Sequence, residues 1–127
     1  MQNLDGIIIM YDICDHFSFM DAENFLFRLA KARKLKHLKN VPCYLVGNKL
    51  DLQAEREVLK VDAQAMSSKH QVKCMETSAK EGINVTLVMQ DLVMMVLKQF
   101  AVKTRKPLIE SVSRVYDKKK QSTCATM

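Results

Sequence analysis

Three short apolar runs constrain this chain more than anything else in it; each ends in a polar cluster, and segments of helical periodicity separate them. The first, Gly6-Ile7-Ile8-Ile9-Met10-Tyr11-Asp12, is continuously apolar between a glycine and an aspartate, the pattern of a strand buried on both faces. The second runs from Val41 to Gly47, with Pro42 tolerable because it stands near the start. The third is Val72 to Met75. Between the first two, Ser18 and Asp21 read as a capping box, after which Phe19, Ala22, Leu26, Leu29 and Ala30 recur at helical spacing to about Lys36. A short helix is expected from Asp62 to about His70. Asn84 stands ready to cap a long one with Val85, Val88, Met89, Leu92, Val93, Val96, Leu97 and Phe100 on one face. Strands alternating with helices in this order imply parallel strands joined by right-handed crossovers. The expected fold is α/β, three parallel strands covered by helices.

Charge divides the chain in two. Residues 101–127 hold seven Lys/Arg against two acidic groups, whereas residues 1–100 hold thirteen against twelve. The basic excess therefore belongs to the tail, which favours an anionic membrane surface and argues against a nucleic-acid partner. We read residues 1–103 as the folded portion and 104–127 as a flexible basic tail, since Pro107 ends a continuing helix and Ser, Lys and Gln dominate beyond it. The cations late in the first helix, Arg28, Lys31, Arg33, Lys34, Lys36 and Lys39, suit a helix C-terminus and read as a solvated face. Nine methionines read as core filling. The N-terminus lacks the pattern of a signal peptide, and no apolar stretch reaches the roughly 20 residues of a membrane span. An intracellular chain with reduced Cys14, Cys43, Cys74 and Cys124 is expected, and the cysteine spacing matches no zinc pattern.

In a parallel α/β sheet, ligands sit beyond the C-terminal strand ends. Two clusters fall there: Asn48-Lys49-Leu50-Asp51 after the second strand and Glu76-Thr77-Ser78-Ala79-Lys80 after the third. A purine needs polar groups at its edge and apolar cover on its faces. A carboxylate in the ring plane accepts from guanine N1–H and the N2 amino group together, donors that adenine lacks, so Asp51 would select guanine. The stem of Lys49, and that of Lys80, suits the ring face while the ammonium stays solvated. Asn48 can tie the loops together, and the Ala79 N–H can meet guanine O6. Each cluster is also good turn chemistry: Asn-Lys-Leu-Asp as a strand exit, Thr77-Ser78 as a turn cap. Their joint occurrence in this order points to a base site.

In these motifs the chain resembles the C-terminal part of a Ras-superfamily small GTPase of the Ras or Rab branch. The resemblance rests on Gly6 to Ile13 followed by Ser18-Phe19, on Leu45 to Leu52, and on Glu76 to Lys80, and covers about residues 4–100. It implies a GTP-dependent switch in signalling or vesicle traffic, with GTP or GDP as ligand and Asn48, Lys49, Asp51, Ser78, Ala79 and Lys80 as the guanine-binding residues. Effector and regulator proteins are implied partners. The family's phosphate loop, G-x-x-x-x-G-K-[ST], has no counterpart among Gly6, Gly47 and Gly82. Its D-x-x-G motif is missing too, because Asn3, Tyr44 and Ala79 stand three residues before those glycines. No catalytic residue and no Mg²⁺ ligand is assigned, and these 127 residues alone are expected to bind the nucleotide weakly and not to hydrolyse it. A partial fold of this kind, lacking the phosphate-binding half, would leave the first strand an exposed apolar edge and strip packing from the long helix.

The last four residues, Cys124-Ala125-Thr126-Met127, fit C-a-a-X, and the terminal Met favours a farnesyl group on Cys124. Together with Lys118, Lys119 and Lys120 this predicts peripheral attachment to the cytosolic face of a membrane. The alternative reading is a non-catalytic, lipid-anchored interaction module, a pseudo-GTPase competing for partners.

Overall fold

The structure, a computed structural model, describes residues 4–34 and 41–104, the last three by backbone alone. Chain order is β1 (Ile7–Asp12), α1 (His16–Lys34), β2 (Cys43–Asn48), a 3₁₀ segment (Leu50–Glu55), α2 (Lys60–His70), β3 (Lys73–Glu76) and α3 (Val85–Thr104). The strands form one parallel sheet in the order β1-β2-β3. Three parallel strands alternating with helices is the expected architecture. The tail from residue 105 onward, with Cys124 and the three lysines, lies outside the described residues, as do Lys36 and Lys39.

β2 organises the core because it has a strand on either side and helices on both faces. Cys43, Tyr44, Leu45 and Val46 are all buried, Leu45 completely. The two-residue period sends Cys43 and Leu45 into a cluster with Ile9, Tyr11 and the inner face of α1. It sends Tyr44 and Val46 the other way, against Val88 and Leu92 of α3. On α1 the buried residues are Phe19, Ala22, Leu26 and Leu29, as the periodicity predicts, while Ala30 turns outward. Burying such side chains contributes about 1.5–3 kcal/mol for each large one.

Local patterns alone mislead at several points. β1 is not buried on both faces, as its apolar run alone suggests, but is the exposed apolar edge expected of a partial fold: Ile8 and Met10 are 37% and 56% exposed. The register pairs Ile8 with Tyr44 and Met10 with Val46, so both face the α3 side, where α3 lies chiefly over β2. For the same reason Val85, Met89 and Phe100 on the apolar stripe of α3 remain exposed, the loss of packing expected for the long helix. The cap of α1 is Asp15, not Ser18. Asp15 Oδ1 accepts from the N–H groups of Phe17 and Ser18, while Ser18 Oγ sits in the first turn against the carbonyls of Asp12 and Asp15. Asn84 does precede α3, in a left-handed conformation (φ 61°), but its side-chain amide donates to the Glu76 carbonyl instead of capping the helix.

The core also fixes the alkaline limit of the fold. Burial pushes the Cys43 thiol up to about 11 from 9.0, and burial, helped by a hydrogen bond to Asp91, pushes Tyr44 up to about 12 from 10.0. Burial raises Tyr11 as well. Each group stays protonated in the folded chain at a pH where the unfolded chain has already released its proton. Stability conferred by the neutral forms is thus complete below about pH 9 and falls as pH rises towards 11 and 12, at up to about 1.4 kcal/mol per group per pH unit. Urea midpoints measured from pH 7 to 11 should be flat at first and then drop. A midpoint unchanged at pH 10.5 would count against the buried placement of these groups.

Candidate functional site

Strand β2 ends at Asn48, and the chain immediately turns. Lys49 takes a left-handed conformation (φ 72°, ψ 36°) and leads into the 3₁₀ segment that carries Asp51. Strand β3 ends at Glu76, next to β2, so the second cluster emerges beside the first. Backbone bonds close the gap: Thr77 N–H donates to the Gly47 carbonyl at 2.8 Å and Leu50 N–H to the Thr77 carbonyl at 2.9 Å. The parallel ladder therefore continues one step past the strand ends and seats the two loops side by side.

Side chains then lock them. Asn48 Oδ1 accepts from Thr77 Oγ1 at 3.2 Å and from the Ala79 N–H at 3.0 Å, the tie expected of this asparagine. Ser78, fully buried, donates through Oγ to Asp51 Oδ1 at 2.7 Å and accepts from the Glu81 N–H at 3.1 Å. Gly82 (φ 71°) lets the chain fold back so that Ser78 and Ile83 exchange backbone bonds. A carboxylate oxygen has two lone pairs, so Asp51 can accept from Ser78 and still present both oxygens to a planar pair of donors. The Ala79 N–H is committed to Asn48, so contact with a ring oxygen would require sharing that bond. Lys80 is exposed on the second loop. All six residues named from the sequence stand on these two adjoining loops.

Two further pairs were not legible in the motifs. Asp12 ends β1 opposite Asn48, and its Oδ2 meets Lys49 Nζ at 2.7 Å while Oδ1 accepts from the Cys14 N–H at 2.8 Å. Burial works to raise the Asp12 pKa, but the Lys49 and Cys14 hydrogen bonds outweigh it and hold this carboxyl below its ordinary value. The other pair is Arg56 with Glu76, joined by two bonds of 2.5 and 2.8 Å with the side chains 15% and 9% exposed. Arg56 also donates to the Val58 carbonyl, which anchors the exit of the 3₁₀ segment. Parallel register arithmetic could have placed Asp12 beside Asn48. Nothing in the sequence pairs residue 56 with residue 76.

Beyond the geometry, the family model of the Ras family matches residues 1–98. The chain belongs to the Ras family. Among curated relatives, it is 40% identical over 80 residues to "Ras-related protein Rab-13" of Mesocricetus auratus, covering 63% of this chain and 37% of the relative. It is 34% identical over 93 residues to "Ras-like protein RAS2" of Hydra vulgaris, covering 73% and 47%. "Ras-like protein 2" of Mucor circinelloides f. lusitanicus is 26% identical over 124 residues, 98% of this chain and 58% of that one. The chain thus spans less than two thirds of the length of these Ras-family relatives. Among the described residues, no group of three or more His, Cys, Asp and Glu is placed to hold a metal ion. No described helix is long and apolar enough to cross a membrane.

Proposed function

We propose that this Ras-family chain reads guanine with the loops 48–51 and 76–80, serving as the base-binding portion of a guanine-nucleotide-binding protein. The observation that carries the reading is the interlock between the loops. Asn48 accepts from Thr77 and Ala79, and Ser78 holds Asp51, so the carboxylate is oriented before any base arrives. Preorganised polar groups penalise the wrong base because it leaves them unpaired. Asp51 supplies the acceptor pair for guanine, and the Lys49 stem supplies a face.

The base alone supports only weak affinity. About eleven heavy atoms at ~0.3–0.5 kcal/mol each correspond to binding near millimolar. Titration of the chain with GMP, followed by amide shifts in 48–51 and 77–80, should give a dissociation constant in the low millimolar range. AMP should shift the same amides at least about fivefold less per unit concentration, and Asp51→Asn should abolish the difference. Equal responses to both nucleotides would remove the reading. Hydrolysis is not assigned to these 127 residues, whose sequence holds no D-x-x-G motif.

The C-terminal Cys124-Ala125-Thr126-Met127 supports lipid attachment at Cys124, with Lys118, Lys119 and Lys120 adding roughly 1 kcal/mol each at an anionic leaflet. Expression in a eukaryotic cell should yield a C-terminal peptide shortened by three residues and carrying a farnesyl group. An unmodified, full-length C-terminal peptide by mass spectrometry ends that assignment.

A further inference from the structure

We propose that the chain carries a second ligand site, at the opposite end of β2 from the guanine loops, which takes a small organic monocarboxylate on Arg33. A cavity of about 230 Å³ opens there, where the end of α1, the start of β2, the residue after α2 and the C-terminal half of α3 meet.

Arg33 is the one charged side chain among the described residues that line it. The other late cations of α1, Arg28, Lys31 and Lys34, are exposed, but Arg33 is partly buried. Its Nη2 donates to the Val41 carbonyl at 2.8 Å, which holds the guanidinium against the start of β2. Its Nε is buried and has no acceptor among the described residues. A buried donor without a partner is costly, and an ionised acceptor satisfies it more strongly than a neutral one. No carboxylate of the chain fills that role. Arg33 enters none of the ion pairs among the described residues, and the sequence holds no Asp or Glu from Asn24 to Leu50. The Cys43 thiol, kept protonated by burial, brings no negative charge either. The cation is therefore left for an anion from outside.

The rest of the lining selects among anions. Pro42 and Met95 offer apolar wall, while Gln71 and Gln99 bring neutral amides. One oxygen of a carboxylate can accept from Arg33 Nε and the other from a glutamine amide, with an apolar body against the wall. Phosphate carries more charge and more oxygens than a single guanidinium already bonded to a carbonyl can meet.

The test titrates benzoate, benzamide and inorganic phosphate into the full chain at neutral pH and constant ionic strength, following the amides of Cys43, Gln71 and Gln99. Benzoate should saturate with a millimolar dissociation constant, as a ligand of about nine heavy atoms allows. Benzamide, which keeps the shape without the charge, and phosphate should each bind at least about fivefold more weakly. Arg33→Gln should weaken benzoate about fivefold or more and leave benzamide unchanged. Gln99→Glu leaves the Arg33–Val41 bond alone and places a carboxylate in the lining, so it should weaken benzoate to a similar degree; it decides the matter if Arg33→Gln fails to fold. Equal affinity for benzoate and benzamide, phosphate binding as tight as benzoate, or no saturation overturns the proposal. So does a benzoate affinity unchanged in Gln99→Glu or in folded Arg33→Gln. None of these outcomes touches the guanine reading, whose loops follow the other end of β2 and of β3.

Discussion

Arg56→Met is expected to lose about 3–5 kcal/mol of stability, a large share of what a domain of this size possesses. The reason lies with the partner left behind. Glu76 is 9% exposed, and both its oxygens are bonded to Arg56 in the folded chain. Removing the guanidinium strands a carboxylate in a site where water cannot replace it. The damage should extend to the second loop, because Glu76 ends β3 and its carbonyl accepts from Asn84, while Arg56 holds the Val58 carbonyl. Replacing both partners by apolar residues, Arg56→Met with Glu76→Leu, should recover most of the loss, since the desolvation cost disappears with the charge. Urea unfolding followed by circular dichroism measures both variants. A single-variant loss below about 1 kcal/mol would show that the pair is solvated and not structural.

Gly47→Ala is expected to cost about 2–3 kcal/mol through overpacking. A Cβ at residue 47 would lie 2.5 Å from Tyr11 Oη and 2.6 Å from Tyr11 Cζ. Tyr11 cannot easily yield. It is 4% exposed, and its ring meets Phe19 edge to face at 5.0 Å between centroids. The strands would have to spread at the point where Tyr11 and Gly47 are register partners, one step before Asn48. Because the Gly47 carbonyl accepts from the Thr77 N–H, spreading would also loosen the interlocked loops. Tyr11→Leu deletes the ring atoms that the new methyl meets. The double variant should therefore be less destabilised than the sum of the singles by about 1 kcal/mol or more. Strict additivity would place the strain elsewhere.

Much of the fold was legible because a strand buried on both faces and an amphipathic helix leave different periodicities. β2 reads directly from Val41 to Gly47, and α1 from the spacing of Phe19, Ala22, Leu26 and Leu29. The apolar run of β1, taken alone, misleads for a physical reason, although the partial-fold resemblance implies the exposed edge. An uninterrupted apolar run reports that a strand can be buried, while its position in the sheet decides whether a neighbour and a helix cover it. Ser18 misled because the capping pattern is short. Asp15, three residues earlier, offers the same chemistry closer to the turn, and the backbone direction chooses between them.

The candidate site divides in the same way. The six residues proposed to read the base stand in two contiguous motifs, since chemistry carried within three or four residues survives as text. The bonds that give those residues their orientation join residues 27 to 31 apart: Ser78 to Asp51, Thr77 to Asn48, Ala79 to Asn48. Asp12 reaches Lys49 across a strand pair, and Arg56 reaches Glu76 around α2. The sequence by itself determined the family and the parallel α/β order, and it named the two loops that we propose to read guanine. Only the tertiary structure decided that Asp51 is held by Ser78, that Asn48 ties the two loops and that Glu76 pairs with Arg56. Those bonds depend on which distant side chains the crossovers bring within 3 Å or so, and no local pattern encodes them.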